Sequence, residues 1–160
     1  MATTLTAATL TVKHTESISL NGQDQGATNT LSIASIAEVN KRILNVPASE
    51  IEVIAMGAAA ANIAPGTFVE GDVKYIRFTN KDDTNHISLI FKNENNDEFQ
   101  VKLDKGQTFV YNGDLAGGVV DTMDAVDNSG LTPGTMGDLV NVTATADTAA
   151  CDMEIFVAST

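Results

Sequence analysis

The chain has 160 residues, 43% of them hydrophobic, which is enough for one domain with its own buried core. It carries 21 acidic side chains against nine basic ones, for a formal net charge of −12. A surface of this sign repels phosphate, so we expect no nucleic-acid partner and no binding to anionic membranes. Cys151 has no second cysteine to pair with, and the N-terminal run MATTLTAATLTV matches neither a secretory signal nor a membrane-spanning helix. We therefore expect a single domain over residues 1–160.

The first third of the chain alternates apolar and polar residues, a period of two that predicts strands. Three short runs show it: Leu10–Val12, Ile18–Leu20 and Leu31–Ile33. Asn21-Gly22 is a strong turn signal immediately after the second run. The residues before the first strand, 1–10, are interpreted as an N-terminal arm available for contacts with other chains.

Two interpretations compete in SIAEVNKRILNVP, where apolar residues recur at helical spacing but are mostly β-branched and precede Pro47. Because β-branching and a following proline favour extended backbone, we predict a turn of helix at Ser35–Ala37 and then a strand at Asn40–Val46. The alanine-rich stretch Met56–Gly66 has glycine near both ends and predicts a loop.

The stretch KYIRFTNKDDTNHISLIF places two apolar runs around the polar residues Asn80–His86. Asn and Asp side chains bond to nearby backbone and tolerate left-handed angles, so we predict a solvated hairpin loop that accepts substitution. A second polar segment, Asn93–Glu98, is interpreted in the same way. Together the two loops predict a three-stranded meander from Val73 to Leu103.

Further strands are predicted at Phe99–Leu103, Phe109–Tyr111, Val140–Thr145 and Met153–Val157. The last is nearly continuous in apolar residues, which indicates burial on both faces. Short strands separated by turn residues favour an all-β sandwich or barrel.

The segment Asn112–Asp138 contains six of the twelve glycines and predicts one long Gly-rich loop. Irregular segments of this length are usually functional, so we expect the loop, with residues 1–10, to contact other proteins. The alternative is that it folds back over its own sandwich. Its apolar residues, the predicted contact residues, are Val119, Val120, Met123, Val126, Leu131 and Met136.

The sequence contains no catalytic or cofactor-binding motif that we recognise: no nucleophile elbow, phosphate-binding loop or dinucleotide fingerprint. With His14 and His86 as the only histidines, a transition-metal site is not expected. Asp121, Asp124 and Asp127 recur every third residue, which is not EF-hand spacing, so calcium binding by the Asp/Asn-rich loops stays open. We expect no enzyme activity, no catalytic residue and no cofactor.

Several segments resemble small virion-associated structural proteins of marine tailed bacteriophages. The resemblance covers about Leu31 to Thr160 and is most recognisable in the pattern Tyr75-Ile76-Arg77-x-Thr79-Asn80-x-Asp82-Asp83-Thr84-Asn85. The matching runs are IASIAEVNKRILNVPASEIEVI, GTFVEGDVKYIRFTNKDDTNHISLIF, VKLDKGQTFVYNGD and ADTAACDMEIFVAST. The resemblance implies a role in the virus particle and transfers no active site.

On this basis we expect a jelly-roll-like β-sandwich that acts as a capsid decoration protein, bound in many copies to the major capsid protein. It would assemble in the host cytoplasm and reside in the virion. A neck, tail or fibre-base component is the alternative in the same class, and a host-glycan-binding module is the alternative in another. We also expect a homo-oligomer. The resemblance to capsid decoration proteins favours a trimer. The uncharged strand Asn141–Ala146 suggests an exposed sheet edge through which copies could pair.

Overall fold

The computed structural model describes residues 6–57, 67–124 and 136–160. The chain is all-β, since all the regular secondary structure within these ranges is β-strand. In chain order the strands are β1 (Ala8–Glu16), β2 (Ser19–Leu20), β3 (Gln23–Asp24), β4 (Ala27–Ile36), β5 (Glu38–Val46), β6 (Ile51–Gly57), β7 (Thr67–Val69), β8 (Val73–Asn80), β9 (Ile87–Asn93), β10 (Glu98–Leu103), β11 (Thr108–Asn112), β12 (Leu139–Ala146) and β13 (Cys151–Ser159). Among the described residues no helix has the length and hydropathy to span a membrane.

Nine of the described strands form two sheets that share one core, an arrangement consistent with the predicted β-sandwich. The five-stranded sheet has the order β10-β9-β12-β6-β7, and the four-stranded sheet has the order β11-β8-β13-β5. Neighbours are antiparallel except β6 and β7, which are parallel. The chain changes sheet after β5, β7, β8, β10, β11 and β12, so most connections cross the core.

The core lies between the facing sides of the two sheets. Ile76 and Phe78 from one sheet and Leu89 and Phe91 from the other are fully buried in it, as their alternation predicted. The Phe91 ring lies 5.8 Å from that of Phe78 and stacks at 4.7 Å on that of Phe99. These aromatic contacts join strands of both sheets.

β13 is buried on both faces, which confirms the interpretation of its apolar run. Met153, Ile155 and Val157 point into the main core. Phe156 and Ala158 point the other way, into a second cluster beneath strands β1 and β4. The four-stranded sheet is therefore covered on part of its outer side as well as on its inner side.

That cover is a long hairpin, residues 8–36, which we call the arm. β1 and β4 pair from Glu16 opposite Ala27 to Ala8 opposite Ile36, and the short pair β2–β3 continues toward the tip. Asn21 and Gly22 close it with positive φ angles of 52° and 77°, the mirror-image turn that the Asn-Gly signal predicted. The N-terminal segment predicted to contact other chains, residues 1–10, is a different stretch from this arm. Its residues 8–10 belong to β1, and residues 1–5 lie outside the described ranges.

The predicted turn of helix at Ser35–Ala37 is wrong, whereas the strand at Asn40–Val46 is confirmed within β5. β4 continues to Ile36, and the Ala37 amide donates to the Ser159 carbonyl at 3.0 Å. That bond holds the connection between β4 and β5 against β13, and no helical turn forms there. Met56 and Gly57, the first two residues of the loop predicted at Met56–Gly66, belong to β6, and residues 58–66 lie outside the described ranges.

The predicted meander is correct only in its second half. β9 and β10 form the expected antiparallel hairpin. β8, however, pairs with β11 on one side and β13 on the other, so both of its edges are occupied and β9 lies in the opposite sheet. The polar segment Asn80–His86 therefore crosses between sheets and is not a hairpin loop.

The predicted exposed edge at Asn141–Ala146 is also wrong. β12 is an interior strand with β9 on one side and β6 on the other. Its uncharged side chains are buried or half-buried in the sandwich, as suits an interior strand. Val142 and Ala144 are completely buried. Among the described strands, the four-stranded sheet has its edges at β5 and β11.

Candidate functional site

The structure separates the residues predicted to contact partners: Val119, Val120, Met123, Val126, Leu131 and Met136. Val119 and Met123 are buried in the chain's own core, Val120 is half-buried, and Met136 is exposed. Val126 and Leu131 lie outside the described residues. Val119 and Met123 thus follow the alternative in which this segment folds back over its own sandwich, and contact through the other residues stays a prediction.

Two features hold the start of this segment against the sandwich. Gly118 has a φ of 73°, and a Cβ atom there would lie 2.5 Å from the carbonyl oxygens of Glu70 and Gly71, so only glycine fits. The buried Lys74 ammonium donates to the carbonyls of Gly71 and Ala116, at 2.8 and 3.0 Å. The segment is thereby tied to the turn before β8.

The crossing segment after β8 is organised by two side chains. Asn80, fully buried, donates to the carbonyls of Asn85 and Leu103 at 2.9 and 3.1 Å and accepts from the Asp82 amide at 2.9 Å. Asp82 accepts from the amides of Thr84 and Asn85, and these bonds lower the pKa of its carboxyl group. These contacts make the segment a structural element, since its polar groups bond to its own backbone.

A metal-binding role for the Asp- and Asn-rich loops gains no geometric support. Within the ranges that the structure describes, no group of three or more His, Cys, Asp or Glu side chains is placed to hold a metal ion. The His86 ring lies 3.5 Å from the Asp147 carboxylate. Asp127 lies outside the described residues.

The distal half of the arm projects from the sandwich. Every residue from Lys13 to Thr30 is exposed except Gly26, which is half-buried, whereas Ile33 and Ile36 near the base are buried. Ile18 and Leu20, which we call the arm tip, remain 55% and 59% exposed. An isolated two-stranded ribbon is only marginally stable in water, so this element is of the kind that gains from a binding partner.

A cleft of about 420 Å³ lies where the arm base meets the outer face of the four-stranded sheet. Tyr75 and Phe156 line its floor with their rings edge to face, 6.0 Å apart, and the Arg77 guanidinium lies 5.7 Å from the Phe156 ring centre. Burial raises the pKa of the Tyr75 hydroxyl. Lys13 and His14 on the arm complete a cleft that is basic and aromatic in an otherwise acidic protein.

Beside the arm, part of the same outer face stays uncovered. Val39, Lys41 and Ile43 on the edge strand β5 form what we call the outer flank. Their neighbours on β13 across the ladder are Ala158, Phe156 and Glu154, and the first two of these belong to the cluster beneath the arm. Val39 and Ile43 are 53% and 61% exposed, so the flank presents two apolar side chains with an ammonium group between them.

Glu154 connects the flank to the cleft. Its carboxylate lies 3.1 Å from the Lys41 ammonium and also forms an ion pair with Arg77. The hydrogen bond from Lys41, together with the charges of both cations, lowers the pKa of Glu154. Both cations therefore share this carboxylate, and Asp152 lies one row further along the same face, opposite Asn45.

Sequence patterning does not reveal the arm tip or the outer flank. It predicts that Ile18 and Leu20 lie on a strand with one buried face, and it places Ile43 on a strand. The alternation identifies which side chains share a face, but it does not show whether another sheet covers that face. The uninterrupted absence of basic residues from Thr15 to Asn40 was an available signal of a distinct surface.

Comparison with protein-family models and with curated proteins finds no match to this chain.

Proposed function

We propose that the protein is a non-enzymatic structural component of a tailed-phage virion, a decoration protein that binds the major capsid protein in many copies. The observation that carries this proposal is the arm, a ribbon exposed on both faces from Lys13 to Thr30 and anchored at its base by a packed apolar cluster. A rigid body with a projecting ribbon suits a protein that is fixed within an assembly. The sequence resemblance to virion-associated proteins of marine phages supports the same role.

We infer further that the two sheets form a jelly roll. The support is the strand order: numbering β5, β6 and β8 to β13 from one to eight gives sheets in the order 1-8-3-6 and 2-7-4-5. Two Greek keys in succession produce this order, and β7 is an additional strand at one edge. Jelly rolls recur in viral capsid proteins and in lectins, which is an argument from fold analogy alone.

The copy number of the chain in purified virions tests the proposal. Quantitative mass spectrometry, with the major capsid protein and a tail protein of the same particle as internal standards, should find hundreds of copies in fixed ratio to the capsid protein, as lattice symmetry requires. A few dozen copies or fewer would instead indicate the neck, tail or fibre base. Absence from the particle would overturn the virion role altogether.

A second candidate function, host-glycan binding, is favoured by the arm cleft with its Tyr75 and Phe156 rings and the polar side chains around them. Glycan-array binding by the isolated chain tests it. Because Lys13 and His14 are exposed at the cleft mouth, the double substitution Lys13→Gln/His14→Gln should abolish specific binding without unfolding the protein. Binding that is absent from the parent removes this candidate.

A further inference from the structure

We propose that the arm tip of one copy docks on the outer flank of a second copy, so that this chain associates head to tail with itself. The inference deepens the proposed function, because it names the surfaces through which copies of a virion protein meet. Ile18 and Leu20 would pack against Val39 and Ile43. These four residues account for most of the large apolar side chains that are exposed in the described part of the chain.

The two surfaces match in chemistry. Exposed apolar side chains that become buried at a contact provide its driving force, and each surface offers two of them. Ile18 and Leu20 are two residues apart, and Val39 and Ile43 lie on either side of Lys41. A single copy does not satisfy them internally, since all four are more than half exposed in the folded chain.

The charges also match. The distal arm carries the acids Glu16 and Asp24, and the sequence from Thr15 to Asn40 contains no basic residue. The flank carries Lys41, more than half exposed, with Arg77 in the same row of the sheet beyond Phe156. Glu154 pairs with both cations, and Asp152 lies one row further along the same face, opposite Asn45. The acidic tip therefore meets the exposed Lys41 ammonium at the centre of the flank, which favours this pairing over tip-to-tip contact.

The length of the arm permits the contact. The eight residues from Lys13 to Leu20 extend roughly 25 Å at about 3.3 Å per residue, which takes the tip beyond the sandwich that anchors its base. Tip and flank are different surfaces, so the interface is heterologous and each copy uses both. Such contacts close into a ring when the rotation between copies permits it, and a trimer is one such ring.

Sedimentation velocity over a range of concentrations tests the inference with two double variants of the full chain and one control. Ile18→Ser/Leu20→Ser removes the tip and Val39→Ser/Ile43→Ser removes the flank. Each should weaken self-association by at least about tenfold relative to the parent. Leu115→Ser is the control, because it removes a comparably exposed apolar side chain elsewhere and should leave association unchanged. Thermal unfolding of each variant checks that the fold is retained.

Mixing provides the sharper test. A tip variant retains its flank and a flank variant retains its tip, so an equimolar mixture should form a one-to-one dimer that neither variant forms alone. A reduction of binding through general misfolding would not be rescued in this way. Failure of the mixture to dimerise, while the parent associates, overturns the proposed pairing.

Other outcomes are equally decisive. A parent that stays monomeric at every concentration overturns the inference. If purified capsids then retain the parent but not the tip variant, the arm binds the capsid lattice and not a second copy. Neither result touches the copy-number test, so the proposed function and this inference fail separately.

Discussion

Buried asparagines end two consecutive strands and organise the segments that follow them. Asn80 ends β8 and bonds to the crossing segment, and Asn93 ends β9 and accepts from the amides of Asn95 and Asp97 at 3.0 and 2.8 Å. In each case one amide side chain forms hydrogen bonds with backbone groups just beyond the end of the strand, where pairing with the neighbouring strand stops. An unsatisfied buried group would cost free energy, so these residues are structural.

Replacing Asn80 with Ala should lower the free energy of unfolding by about 3 kcal/mol, because the carbonyls of Asn85 and Leu103 lose their donor. Chemical denaturation measures this change. The control is Thr84→Ala, which removes an exposed hydroxyl from the same segment and should change stability by less than about 0.5 kcal/mol. An Asn80→Ala protein that unfolds at the parent midpoint would show that the segment is held by other contacts.

Asp82 gives the stability of the protein a dependence on acid pH. Because its carboxyl pKa is lowered below the ordinary 3.8 in the folded state, the unfolded chain binds this proton first as the pH falls. The contribution of Asp82 is therefore complete above its unfolded pKa and is lost as the pH falls through the lower folded pKa. Asp82→Asn should flatten the stability profile below about pH 4, as measured by thermal unfolding. Thr84→Ala leaves the Asp82 carboxyl group and its backbone donors in place, so it is the control and should retain the parent slope.

At the scale of the element, the arm divides into a packed base and a free end. Replacing residues 15–28 with Asn-Gly joins His14 to Asn29, which already face each other in the ladder, and so keeps the base in register. Stability of the sandwich should then change by less than about 0.5 kcal/mol, because the removed residues are outside both core clusters.

Ile33→Ala, in the base, should by contrast cost about 2–4 kcal/mol, since Ile33 is almost fully buried beneath the arm. Calorimetric melting of the two variants compares them directly. Equal losses in both would mean that the free end contributes to the fold, contrary to its exposure.

At the scale of the whole molecule, the strands were predictable and their partners were not. The alternation in Phe99–Leu103 is local, so the sequence reveals the strand and its buried face. The segment Asn80–His86 crosses between the sheets, and its side chains bond to the backbone as they would in a hairpin loop. Its composition therefore does not distinguish a crossing segment from a hairpin loop. The uncharged run Asn141–Ala146 is ambiguous in the same way, since both an exposed edge and an interior strand lack charge.

The candidate surfaces were less predictable than the fold. Ile18–Leu20 alternates as a core strand does, and only the three-dimensional arrangement shows that no sheet covers it. Val119 and Met123 illustrate the reverse, because apolar residues in a Gly-rich segment predict contact with another protein and yet lie in the core. Whether an apolar side chain meets its own chain or another one depends on long-range packing, which no local pattern records.

The order of the strands has a consequence for how the protein is synthesised. β12 separates β9 from β6, and β13 separates β8 from β5, so one interior strand of each sheet is translated only after the two strands that it separates. A nascent chain that has reached residue 138 holds strands for both sheets but completes neither, and their inner edges stay unpaired. Folding of the sandwich therefore waits for translation of β13, and a chain interrupted earlier presents aggregation-prone edges to proteolysis and chaperones.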